Sequence, residues 1–297
     1  MAADEKLCVI ELRTTADSLP IVEELLGGQG MQWASRWNPE AREAVVRVYC
    51  QDDSKRAVAL RRMRALFEDC RELFDGLPPS VRSFELRRED WATVWKQHFH
   101  SFRASERLVV KPTWEPYANG AHDIVLELDP GMSFGTGYHG TTRACLEYLD
   151  ELERAVGSVS LLDAGCGSGI LSLAAAKLGY SPVVAFDHDA DAACIARCNL
   201  TRAGAPDVRV FCADLGTVTL RCSFRMVVAN ILAPVLITHA DRLVSVLDRS
   251  NDAAFLILSG ILKSQYEEVR ETFISRGLRE RSSKVRDEWQ TGCFALD

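Results

Sequence analysis

Positions 7–13 (LCVIELR) alternate in the manner of a half-buried strand. Asp17 or Ser18 then offers an N-cap for a helix through Leu26, closed by Gly27 and Gly28. Met31–Trp37 and Ala44–Cys50 read as two strands joined around Asn38-Pro39. From Ser54 to Phe74 the period changes. Val58, Leu60, Met63, Phe67, Cys70 and Phe74 fall near helical spacing, so an amphipathic helix is expected. Val81–Leu86 supplies a closing strand. The order βαββαβ predicts a small α+β unit of ferredoxin-like pattern, with one sheet face open to a protein partner.

Glu89–His100 (EDWATVWKQHFH) places Trp91, Trp95 and Phe99 one helical turn apart. A connecting helix packed between two domains is favoured there over a docking surface. From about Leu108 strands and helices alternate. Strands are expected at 159–164, 183–187, 208–212, 225–229 and 254–259, and helices at 169–179, 190–203, 233–247 and 263–276. The strands are continuous apolar runs (VVAF, MVVA, FLIL), as required when both faces are covered. This predicts a doubly wound, mostly parallel α/β sheet of Rossmann-like class. Residues 278–297 offer two extended segments for an antiparallel edge. The expected division is residues 1–88 for substrate recognition, 89–107 for a linker helix and connector, and 108–297 for the larger domain.

Composition narrows the classes. The chain has 297 residues, 47% of them hydrophobic, enough for one large core and one small one. A net charge of −7 argues against gripping nucleic acid by bulk electrostatics. No apolar run is long enough for a membrane span. The start, MAADEKLCVIELR, lacks a basic region followed by a long apolar one, so no signal peptide is expected and the chain reads as cytoplasmic. The ten cysteines contain no C-x-x-C pair and read as reduced, mostly buried thiols. A metal site from Cys194 and Cys198 with Cys212 or Cys222 is disfavoured, and none is expected.

The densest chemistry lies in LLDAGCGSGILSLAAAKLG, residues 161–179. Gly165, Gly167 and Gly169 sit between a strand and a helix, where positive φ and close approach of a ligand are needed. The dinucleotide pattern G-x-G-x-x-G requires a small sixth residue, and Ile170 stands there, which disfavours an NAD-dependent oxidoreductase. The pattern D-x-G-x-G-x-G from Asp163 is instead similar to the first motif of class I S-adenosylmethionine (SAM) methyltransferases.

Asp187 ends the second strand, 22 residues after Gly165, where a carboxylate meets ribose hydroxyls. Helix capping is its competing role, one that Asp189 or Asp191 can fill. Asp214, after the third strand, is a candidate for the adenine amino group or a plain turn residue. Asn230 ends the fourth strand (MVVANILA), where its side-chain carbonyl can accept a hydrogen from an attacking amine. Ser259-Gly260 ends the fifth and permits close approach.

Upstream, LDPGMSFGTGYHGTTRACLEYL reads as a glycine-rich loop before a helix starting near Thr141. Thr142 offers a hydroxyl to the methionine end of the cofactor, or caps the helix. Phe134 is placed to shield the sulfonium. His139 is read as a packing or capping residue more readily than as a base.

Together LDPGMSFGTGYHGTT, LLDAGCGSGILSLAAAKLG, VVANILAPVLI, LSGIL and the C-terminal EW resemble the PrmA family, the bacterial ribosomal protein L-eleven methyltransferases. The resemblance spans essentially the whole chain. It implies SAM as cofactor, ribosomal protein L-eleven as partner, and methylation of lysine side chains and the N-terminal α-amine. It places the family's cofactor positions on Thr142, Gly165, Asp187 and Asn230. Tyr138 and Gly140 depart from the Thr and Pro usual in the family. The runner-up readings are a methyltransferase of another protein lysine or small amine, and a non-catalytic SAM-binding factor of the ribosome.

Overall fold

The computed structural model describes residues 6–16, 18–27, 33–38, 43–50, 53–74, 78–87, 100–129, 140–220, 222–249 and 254–296. The chain divides into two compact units, 1–98 and 99–297. The helix expected over 89–100 lies almost wholly outside the described residues.

In the smaller unit β1 (Lys6–Thr14), β2 (Trp33–Asn38), β3 (Glu43–Cys50) and β4 (Ser80–Arg87) form one antiparallel sheet, in the order β2-β3-β1-β4. Helices α1 (Leu19–Gly27) and α2 (Asp53–Asp69) complete the βαββαβ order. Alternation along β1 puts Cys8, Ile10 and Leu12 into a core with Val22, Leu26, Met63 and Phe67. The other set carries Glu11, 1% exposed, which accepts from Nε of Arg13 and of Arg47 at 3.0 Å and of Arg82 at 2.9 Å. Burial pushes the Glu11 carboxyl up, but the bonds from Arg82, Arg47 and Arg13 outweigh it and hold the group below its ordinary value.

Two local differences from the sequence reading appear here. The turn into α1 is closed by Thr15, whose Oγ1 accepts from Ser18 N at 3.3 Å, while Asp17 lies outside the described residues. The second helix stops at Asp69, and a tighter 3-10 turn, Arg71–Phe74, brings the Phe74 ring edge-on to Phe67 at 5.8 Å.

The larger unit opens with a small sheet of β5 (Phe102–Arg103), β6 (Leu108–Lys111) and β7 (Ile124–Glu127). Residues 100–107, expected as a connector, therefore belong to this unit. Phe102 and Arg103 pair with Val110 and Val109, and Ala104 is buried. The main sheet holds β8 (Leu161–Ala164), β9 (Val183–Asp187), β10 (Arg209–Cys212), β11 (Met226–Asn230), β12 (Ala254–Leu262), β13 (Leu278–Arg286) and β14 (Trp289–Leu296). Its order is β10-β9-β8-β11-β12-β14-β13, and all strands run parallel except β14, which is antiparallel to both its neighbours, β12 and β13.

Successive residues of β8 serve opposite layers. Leu161 packs with Leu146 and Leu173 on one face, Leu162 with Phe186 and Leu243 on the other. The covering helices are α3 (Gly140–Val156), α4 (Ile170–Leu178), α5 (Ala190–Arg202), α6 (Ala233–Thr238), α7 (Ala240–Ser245) and α8 (Tyr266–Ile274). One helix was expected over 233–247. It breaks at His239, whose φ of −110° and ψ of 20° leave the helical region. The order of the strands reverses its progression between β8 and β11, which are parallel, so the place for a ligand is at their carboxyl ends. No described helix is long and apolar enough to cross a membrane.

Candidate functional site

The turn after β8 is built by three glycines of positive φ, 82° at Gly165, 52° at Gly167 and 82° at Gly169. Only glycine adopts such angles freely. Two of them also make room for the chain itself. A Cβ on Gly165 would stand 2.4 Å from Ile231 Cγ2, and one on Gly169 would stand 3.1 Å from Ala196 Cβ. Gly167 N donates to Asp187 Oδ2 at 2.8 Å, which fastens the turn to the end of β9. Ile170, which spoils the dinucleotide pattern, is buried in the core beside α3.

Asp187 is 7% exposed. Its Oδ1 accepts from Asp189 N at 3.0 Å. Capping of α5 falls to Asp189, whose Oδ1 accepts from Asp191 N at 2.9 Å. His188 Nδ1 lies 3.3 Å from Asp187 Oδ1, so the further acceptor position of Asp187 is on Oδ2. Asp214 stands two residues past β10 and is exposed. Its Oδ1 takes Gly216 N at 2.8 Å, and its carbonyl takes Val218 N at 2.8 Å, the bonding of a turn residue.

Asp163 emerges from the structure with more importance than its motif position suggested. It is fully buried, with Ser172 Oγ donating to Oδ2 at 2.6 Å and no protein partner for Oδ1. Burial pushes its carboxyl up to about 6 against the opposing Ser172 bond. The signal was legible as a lone acid in an apolar strand, LLDA.

A pH dependence of stability follows. The folded state holds this proton up to about pH 6, the unfolded chain only to about 3.8. The group therefore makes folding progressively less favourable as pH rises through that window, by about 3 kcal/mol in all. Melting of Asp163→Asn should lack this component, so its stability relative to the parent rises between pH 4 and pH 7. Parallel pH profiles for the two proteins would rule the assignment out.

Asn230 ends β11 in register with Ser259 of β12. Its Nδ2 donates to Oγ1 of Thr142 at 3.3 Å, across from the first turn of α3. Thr141, next to it, accepts from Ser259 Oγ at 3.3 Å through its carbonyl. The chain after Asn230 threads between two glycines. Ile231 N donates to Ser259 O at 3.2 Å, and a Cβ on Gly260 would stand 2.4 Å from Ile231 O. The close approach expected at Ser259-Gly260 thus belongs to the chain's own Ile231 rather than to a ligand. Gly260 has φ 79° and lies where the β12–β14 register shifts, as at a bulge.

Phe134, Tyr138 and His139 lie outside the described residues. Gly140 opens α3, and a Cβ there would stand 3.1 Å from Cβ of Arg286, so a bulkier residue meets the C-terminal hairpin. None of the ten cysteines is in a disulfide. Five are buried and four exposed, fewer buried than expected, because Cys194, Cys198, Cys212 and Cys222 fall on solvent-facing positions. Among the described residues no group of three or more His, Cys, Asp or Glu could hold a metal ion.

The carboxyl ends of β8, β9 and β11 thus bring together the glycine turn, Asp187, Thr142 and Asn230, with Asp163 buried in the strand that leads into the turn. The donor set suits a nucleoside with a charged tail: a carboxylate with a spare acceptor position, backbone N–H groups at the start of α4, and an orphaned buried acceptor.

Comparison with known proteins agrees. Residues 13–295 match the family described as ribosomal protein L11 methyltransferase (PrmA). A ribosomal protein L11 methyltransferase of Geobacter metallireducens is 41% identical over 254 residues, covering 84% of this chain and 81% of that protein. One from Geotalea uraniireducens is 44% identical over 71% of this chain and 69% of its own length. The crystal structure of ribosomal protein L11 methylase from Lactobacillus delbrueckii subsp. bulgaricus superposes with a TM-score of 0.61 at 28% identity, covering 67% of this chain and all of that one.

Proposed function

This chain belongs to the ribosomal protein L11 methyltransferase family, and on that premise we propose that it methylates amines of ribosomal protein L11, on lysine side chains and at the N-terminal α-amine. S-adenosyl-L-methionine is the methyl donor. The observation that carries the catalytic reading is Asn230, held at a strand end beside the glycine turn with its amide nitrogen engaged by Thr142. A cytoplasmic location goes with this reading, as does substrate recognition by residues 1–88, with the unit of residues 99–297 as catalytic domain.

The residues fit the donor. The spare acceptor position on Asp187 Oδ2 suits a ribose hydroxyl. The turn at Gly165, Gly167 and Gly169 faces the methionine part, which Thr142 flanks, and the unpartnered Oδ1 of Asp163 suits a cationic or N–H group. Asp214 has one carboxylate oxygen left for the adenine amino group. When bound, the donor supplies a methyl carbon already activated by a positive sulfur, so neither a metal nor a covalent enzyme intermediate is required.

The protein's part is positioning and protonation state. Asn230 Oδ1 accepts a hydrogen of the incoming amine and aims its lone pair. A lysine of pKa about 10.4 must lose its proton first, at a cost of roughly 5 kcal/mol near pH 7. Desolvation at the site lowers that pKa, and an α-amine near pKa 8 needs far less help.

The direct test is intact-mass spectrometry of purified ribosomal protein L11 after incubation with the enzyme and SAM. Mass steps of whole methyl groups are expected. An unchanged mass, with SAM binding established by calorimetry, would remove L11 as the substrate. Asp187→Asn should weaken SAM binding by about tenfold, the equivalent of one charge-assisted hydrogen bond. Unaltered affinity in that titration would exclude a ribose contact.

A further inference from the structure

Resting on the reading just given, we propose that Thr142 is a positioning residue whose hydroxyl fixes which end of the Asn230 amide meets the substrate amine. The two ends of a carboxamide have nearly the same shape, and hydrogen bonding alone distinguishes them. Asn230 Nδ2 donates to Thr142 Oγ1 at 3.3 Å, which leaves Oδ1 as the acceptor. A reversed amide would present N–H to the incoming nitrogen and oppose its hydrogens.

Thr142 is 0% exposed, so solvent cannot stand in for its hydroxyl. Its helical turn is fastened in turn. Ser259 Oγ donates to Thr141 O at 3.3 Å and lies 2.6 Å from Thr291 Oγ1. Ser259 is also the residue in register with Asn230. The start of α3 and the ends of β11 and β12, together with β14, thus form one bonded frame. In that frame the Thr142 hydroxyl is the contact that reaches the amide itself. A hydroxyl that only held the cofactor would act on affinity for SAM, whereas one that orients Asn230 acts on the methyl-transfer step.

The experiment compares Thr142→Val and Thr142→Ser, each alone and in the Asn230→Ala background. Three quantities are read: kcat for L11 by intact mass, SAM affinity by calorimetry, and hydrogen exchange of the Asn230 side-chain amide by NMR. The NMR signal is identified by its loss in Asn230→Ala.

Thr142→Val should lower kcat by about tenfold or more and weaken SAM binding by a clearly smaller factor, since Thr142 also flanks the donor. It should also speed exchange of the Asn230 amide, and add nothing further once Asn230 is alanine. Thr142→Ser should restore most of the turnover that Thr142→Val loses, because it retains the hydroxyl. The proposal fails if Thr142→Val weakens SAM binding as much as turnover, if its loss persists undiminished in Asn230→Ala, or if amide exchange is unchanged. The exchange measurement needs no substrate. It therefore judges this proposal even if L11 proves not to be the acceptor, an outcome that would remove the substrate reading instead.

Discussion

Asn230→Ala is expected to lower turnover on ribosomal protein L11 by about a hundredfold or more, as loss of one positioned hydrogen-bonding group does in other enzymes. SAM affinity should stay within a few-fold. The asymmetry follows from geometry. Asn230 stands at the end of β11, with its nitrogen tied to Thr142 and its neighbour Ile231 tied to Ser259 O. Substituting it removes the amine's acceptor while leaving the glycine turn and Asp187 in place. Asn230→Asp offers a sharper reading, since a carboxylate still accepts a hydrogen but cannot donate to Thr142. It should retain more activity than the alanine variant if acceptance is the main contribution. Equal losses of turnover and SAM affinity in Asn230→Ala would refute the orienting role and make the residue a cofactor ligand.

Gly260→Ala is expected to damage stability and activity together. Its φ of 79° places an alanine in the left-handed region, at a cost of about 1–2 kcal/mol. The new Cβ would also stand 2.4 Å from Ile231 O and 2.9 Å from Ile231 C, backbone atoms that cannot rotate away. Overpacking of that kind adds about 1–3 kcal/mol. Whatever movement relieves the clash shifts Ile231, and Asn230 with it.

Gly277→Ala is the control. Gly277 has φ 87° and nothing within 4 Å of its Cβ position, so it carries the backbone cost alone. Chemical denaturation should rank Gly260→Ala well below Gly277→Ala. Initial rates should fall for Gly260→Ala alone. If both variants lose the same stability and keep the same rate, the threading of Ile231 past Gly260 has no functional consequence.

The division between sequence and structure runs through particular residues. The doubly wound sheet was legible because each parallel strand is a short apolar run and each covering helix has its own period. The three glycines were legible because φ restrictions are local. What they touch was not. Gly165 clears Ile231, Gly169 clears Ala196 and Gly260 clears the Ile231 carbonyl, three contacts between segments far apart in the chain. Asp187 and Asp189 each offered a cap for α5 in sequence, and only the placed hydrogen bonds gave that task to Asp189. The break at His239 and the small sheet of β5, β6 and β7 were missed, because short elements depend on their neighbours more than on their own periodicity.

By itself, then, the sequence determined the two-unit α/β organisation, the glycine turn, and the residue types at the strand ends, since hydrophobic period and backbone permission are written residue by residue. The tertiary structure alone decided which donors meet which acceptors. Asn230 and Thr142 are 88 positions apart, and Asp163 has one partnered oxygen and one orphaned. Both facts depend on how buried groups from distant segments satisfy one another, and no local pattern encodes that.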